Sequence, residues 1–195
     1  MTKFLNREST FPIDPLFLSR ISYRAFSDER LTEEELMSLF EAARWAPSSY
    51  NGQPWRFAYA RRGTPEWDKF YSALIDFNKQ WCKNADTLVV VASRNNFEHN
   101  NKPAHTSRLD TGSAWMSLAL QAHKNNIVTH GMEGFDIKTI TKNLDIPDTF
   151  TVEAMIAIGK HGNPEKLPPE IRAREVPSTR KPLKEIVSEG KFPFK

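Results

Sequence analysis

Two short apolar runs, Thr87–Ser93 and Val152–Gly159, constrain the fold of this chain more than any other feature. Each is brief and flanked by polar or turn-forming residues, and the first is rich in valine. Both predict buried strands, the second a central one. Leu88–Ala92 is as long as any unbroken apolar stretch, far short of the roughly 20 residues that a membrane helix needs. No apolar segment lies between a basic start and a small-residue cleavage site in Met1–Arg20, so no signal peptide is expected and a cytoplasmic location is the default.

Helical patterns surround these runs. Glu33–Trp45 places Leu36, Leu39, Phe40 and Ala43 on one face, with Thr32 and Glu35 as a capping box and Pro47 as a stop. Further helices are expected over Pro65–Lys79 and Ser107–Asn125, and from Asp136 to Leu144 before Ile146-Pro147. Gly112, Ser113 and Ala114 in the long helix suggest close approach of another backbone. Trp55–Ala60 and Ile127–His130 read as shorter strands, and Arg94–Thr106 as a polar loop with room for a short helix. Pro12 and Pro15 predict an irregular first twenty residues. Pro182–Val187 is a short amphipathic stretch. The class is mixed α and β. At 195 residues one domain, or one and a half, is expected.

The chain carries 27 Lys+Arg against 24 Asp+Glu, and the excess falls late, with nine basic and five acidic residues from Lys160 onward. That tail has little core of its own; it wraps its own domain or crosses to a partner. Basic residues do not interleave with the aromatics, which argues against nucleic-acid binding. The single cysteine, Cys82, excludes an intramolecular disulfide framework and a multi-thiolate zinc site. His99, His105, His123, His130 and His161 show no H-x-x-x-H spacing, so no metal site is expected. There is no G-x-S-x-G elbow, no P-loop and no G-x-G-x-x-G. A bound nucleotide would be held by side chains instead.

Three features suit such a role. Arg20, Arg24 and Arg180 lie in extended or turn-like sequence, and a guanidinium pairs bidentately with phosphate. Ser48, Ser49, Asn51 and Gln53 crowd one loop with groups that can read a polar heteroaromatic edge. His130-Gly-Met-Glu-Gly-Phe135 puts two glycines directly after a strand, where a backbone can approach a flat ligand.

Arg20-Ile-Ser-Tyr-Arg-Ala-Phe26, Ala46–Phe57, Asp110-Thr-Gly112, His130–Asp136 and Arg180-Lys-Pro-Leu183, in this order, resemble the nitroreductase family of FMN-dependent oxidoreductases over residues 16–190. The resemblance implies an α+β sandwich with a mostly antiparallel central sheet flanked by helices. It implies one FMN-binding domain over residues 1–195, with an N-terminal arm to about residue 15 and an extension from about residue 160 that wraps the partner of an intertwined homodimer. FMN would be tightly bound and NAD(P)H a transient donor, with ping-pong reduction of flat nitroaromatic or quinone acceptors through flavin N5 and no catalytic side chain. A flavin-storage, flavin-sensing or flavin-degrading protein is the alternative.

Carried over by position, Arg20, Ile21, Ser22 and Arg180 would meet the phosphate and ring edge. Arg24 and Asn78 would meet the pyrimidine end. Pro47, Ser48, Ser49 and Asn51 would reach in from the partner, with Gln53 in the same loop. Gly131, Met132, Glu133 and Gly134 would pass along the ring, an N–H near Gly134 facing N5. Ser178 and Trp81 stand where some relatives have lysine, and Lys181 offers a replacement charge. Phe97, Trp115 and Trp81 are candidate pocket aromatics, Trp115 also reading as core.

Overall fold

A computed structural model describes residues 3–4 and 7–194. Its internal contacts form two units, Ser22–Glu175 and a smaller one of Met1–Ile21 with Val176–Lys195. The larger unit is built on a four-stranded sheet of β3 (Trp55–Arg61), β4 (Thr87–Arg94), β6 (Phe150–Lys160) and β5 (Ile127–Met132), in that order. Every pairing is antiparallel, as the α+β reading requires. The two apolar runs are the central pair, with Val90 opposite Met155 and a register shift between Val91 and Ala92. Alternation along β4 divides its side chains between two cores. Leu88 and Val90 join Trp81, Met155 and Ile171. Val89 and Val91 join Ile156, Ile158 and the helices α2 (Glu33–Arg44) and α5 (Ser107–Lys124).

The capping box of α2 is present: Thr32 accepts from the Glu35 N–H and Glu35 accepts from the Thr32 N–H. Leu36, Leu39 and Ala43 are fully buried. Burial of each leucine contributes about 1.5–3 kcal/mol. The carboxylate of Asp86, 1% exposed, pairs with Arg30 at 2.6 Å and Arg61 at 3.4 Å, so this charge is compensated inside the fold.

Several expectations are corrected. Residues 65–79 do not form one helix: α3 (Trp67–Tyr71) and α4 (Asp76–Cys82) flank a break. There the Ile75 N–H donates to the Gly134 carbonyl and Asp136 N–H to Ala73, so the loop after β5 outcompetes the helix for the backbone. The N-terminal stretch is not wholly irregular. β1 (Lys3–Phe4) pairs with β2 (Arg7–Glu8), and Pro15 opens α1 (Pro15–Ser19) behind an Asp14 cap. Residues 95–106 are the expected polar loop, with an Asn96–Pro103 bridge and no short helix. A Cβ at Gly112 would meet nothing within 4 Å among the described residues, so none of the described backbone crosses there. β5 and β6 run slightly longer than expected, while α5 and α6 (Ile137–Asn143) match closely.

In the smaller unit Pro182–Val187 forms only a 3-10 turn at Leu183–Glu185, and Leu183, Ile186 and Val187 are exposed. No helix among the described residues is long and apolar enough to cross a membrane.

Candidate functional site

The end of β5 is where the larger unit gathers most of its chemistry. Residues 25–27 run beside the end of β6: Phe26 bridges His161, the Gly162 N–H donates to Ala25 and the Ser27 N–H to Lys160. This seats the neighbouring Ser22–Arg24 backbone against β5. His130 Nδ1 lies 2.9 Å from the Ser22 carbonyl and 3.1 Å from that of Tyr23, so it carries the proton and donates to them. The His130 ring packs on Trp81 with centroids 4.6 Å apart. The Arg24 guanidinium lies 5.9 Å from the Trp81 ring centroid. It is also 3.8 Å from the Glu175 carboxylate. Burial pulls the Arg24 pKa down and Glu175 pulls it back up.

Asn78, on α4, donates from Nδ2 to the Gly134 carbonyl at 2.9 Å. A Cβ at Gly134 would stand 2.6 Å from that nitrogen and 2.8 Å from Ile75 Cδ1, so the Asn78 amide and the Ile75 side chain would have to move aside. At Gly131 a Cβ would come within 3.2 Å of the Trp115 ring. The Gly131 position is exposed, whereas Met132 turns inward and meets Cys82 with sulfurs 3.4 Å apart. Only the backbone of Met132 is available to a ligand. Glu133 is exposed. Burial raises the Cys82 thiol, which is inert core.

Three N–H groups here point to a ligand. Arg24 Nε and Trp81 Nε1 are buried with no acceptor. The Gly134 N–H donates to no acceptor among the described residues. Buried donors are nearly always paired, so the two buried ones suit acceptor atoms on a bound molecule.

The loop from Pro47 is a second locus. Ser49–Asn51 is a 3-10 turn, and Tyr50, Asn51 and Gln53 all take left-handed backbone, with φ of 53°, 53° and 45°. Asp110 at the start of α5 accepts from the Ser49 N–H at 3.1 Å and from the Thr106 hydroxyl at 3.2 Å. Ser48 Oγ accepts from the Gln53 N–H, and Gln53 Nε2 donates to the Asn51 carbonyl. Tyr50 meets Phe97 edge-on, with His99 beside both. Pro47, Tyr50, Asn51 and Gln53 are exposed. No hydrogen bond or ring contact joins this loop to the β5 end among the described residues.

In the smaller unit, arginines converge. Arg7 Nε donates to the Ser178 carbonyl, and Nη1 to the carbonyls of Leu18 and Arg20 at 2.9 and 2.8 Å. Ser178 Oγ accepts from Arg7 and from Arg180. Burial lowers the Arg20 pKa, and the nearby charges of Arg180 and Arg7 lower it further. Like charges held together in this way favour an anion. Ile21 is buried. The roles of Arg7, His130 and Glu175 were not visible in the sequence, because their partners are 11 to 171 residues away.

Comparison with known proteins bears on these groups. The profile described as "Nitroreductase family" matches residues 18–76 and 73–160. A crystallised oxidoreductase containing FMN is 44% identical over the full length of both chains, with a TM-score of 0.95. A nitroreductase family protein of Streptococcus pneumoniae TIGR4 has the same fold, with a TM-score of 0.70 over 89% of this chain and 98% of that one, at 22% identity. The oxygen-insensitive NADPH nitroreductase of Helicobacter acinonychis is 37% identical over 92 residues, which are 47% of this chain and 41% of that enzyme's length. By profile and by full-length likeness, the chain belongs to the nitroreductase family.

Proposed function

We propose that the chain is an FMN-dependent oxidoreductase that takes electrons from NAD(P)H and passes them to a flat, electron-poor acceptor of nitroaromatic or quinone type. The observation that carries this reading is the full-length likeness to the oxidoreductase containing FMN. The groups described above fit that cofactor. The unpaired donors of Arg24, Trp81 and Gly134 suit the acceptor edge of an isoalloxazine, and the converging arginines suit a phosphate.

When bound, FMN would supply the redox chemistry, taking up hydride from the nicotinamide and delivering the electron pair to the acceptor. This chain's residues bind and orient. Arg20 and Arg180 would hold the phosphate by charge-assisted hydrogen bonds, and Ser22 would meet the ring edge. Asn78 and Arg24 fix the pyrimidine end, and the backbone of Gly131–Gly134 lies along the ring. Donor and acceptor use one site in turn, a ping-pong scheme, so no separate nucleotide fold is needed. The active unit is a homodimer in which Pro47–Gln53 reaches the partner's cofactor. Exposure of Trp45 (75%), Tyr50 (84%) and Leu109 (70%) supports a covered surface there.

The test is anaerobic stopped-flow mixing of FMN-loaded protein with NADH and with NADPH. Rapid bleaching of the oxidised flavin band with either donor is the expected result. No bleaching with both would overturn the oxidoreductase reading.

A further inference from the structure

Glu175 sits where its chemistry is otherwise unexplained. Its carboxylate side chain is 5% exposed, although it lies three residues beyond the short helix α7 (Pro169–Arg172). Fully buried Ile171 anchors that helix, and the Glu175 N–H donates back to Arg172. One carboxylate then makes three contacts with a segment 151 residues away. Oε1 accepts the Arg24 N–H at 2.8 Å, Oε2 accepts the Ala25 N–H at 3.4 Å, and Oε1 faces Arg24 Nη1 at 3.8 Å. Arg24 Nη1 also approaches the Arg174 carbonyl at 3.4 Å, while the Arg174 guanidinium is turned onto Phe77. Glu175 is therefore the carboxylate that faces Arg24, and Arg24 Nε is left buried and unpaired.

A buried acid placed in this way does two things at once. It fixes the backbone from which Arg24 projects, and it offsets part of the guanidinium charge at short range, where water screens little. Trp81 adds no cation beside Arg24, whereas the Arg174 charge is felt there.

We propose that Glu175 is the positioning residue for Arg24, and that its charge sets how strongly this site favours reduced over oxidised FMN. The inference rests on the FMN reading above. Reduction by two electrons and one proton adds a negative charge to the cofactor. A cation at the pyrimidine end favours that form, and a carboxylate behind the cation weakens the preference.

Reductive titration of FMN-loaded protein with dithionite tests this without either substrate. Glu175→Gln should bind reduced FMN about tenfold more tightly relative to oxidised FMN, an upward shift of ~30 mV in midpoint potential for a two-electron couple. In an Arg24→Gln background the same change should leave the potential where Arg24→Gln alone puts it. An unchanged potential in Glu175→Gln, or a shift that survives without Arg24, would overturn the proposal. Should Glu175→Gln fail to fold, Glu175→Asp, which withdraws the charge by one methylene, decides: a smaller upward shift supports the proposal and none refutes it. Wild-type protein that binds no FMN contradicts the functional reading instead, a result distinct from either arm.

Discussion

The β5 end and the loop from Pro47 carry comparable numbers of expected cofactor contacts, yet they are built in opposite ways. At the β5 end the groups are set by the core. Trp81 is 1% exposed, Asn78 is tied to the Gly134 carbonyl, and His130 holds the Ser22 and Tyr23 carbonyls. In the loop, three residues with left-handed backbone are held by Asp110 and by internal hydrogen bonds, while Tyr50 and Asn51 face outward. The difference teaches that the first locus is set by the chain's own core, whereas the second is a presented surface. A presented surface is what the proposed dimer would need there.

Paired aromatic truncations give the largest expected contrast. Trp81→Ala should cost about 3–5 kcal/mol of unfolding free energy, since a fully buried indole leaves a cavity. Tyr50→Ala should stay within about 0.5 kcal/mol, since its ring is 84% exposed. Equal losses in urea unfolding would erase the distinction. Next comes Gly134→Ala. The new methyl would collide with Asn78 and Ile75, costing about 1–3 kcal/mol and weakening FMN binding in step. Unchanged stability and affinity would mean that α4 and β5 are not locked as described. The smallest effect tests the loop's backbone. Asn51→Ala should lose about 1 kcal/mol from its left-handed conformation, and Asn51→Gly should recover most of it. If both variants weaken FMN equally at equal stability, the Asn51 side chain itself meets the cofactor.

Much of the fold was legible because its signals are local. The Thr32–Glu35 capping box and the Leu36–Ala43 stripe mark α2 without reference to anything distant. The runs around Val90 and Ile156 mark the central strands. The break between α3 and α4 was not legible, because its cause is the Gly134 carbonyl, 59 residues beyond the Ile75 N–H that it accepts. Pro15 reads locally as a breaker because proline blocks a helix interior, yet it opens a helix when it stands first. At the candidate site, the family resemblance pointed to Arg24, Asn78 and Gly134, which the fold brings to one strand end. Glu175 carries no motif at all; only the geometry of α7 delivers it to Arg24.

The most direct test of the account is an equilibrium titration of the apoprotein with FMN, followed by flavin fluorescence, with riboflavin in parallel. The account predicts saturable binding of one FMN per chain, and much weaker binding of riboflavin, which lacks the phosphate that Arg20 and Arg180 are assigned to hold. No binding of FMN, or equal binding of the two, would contradict it.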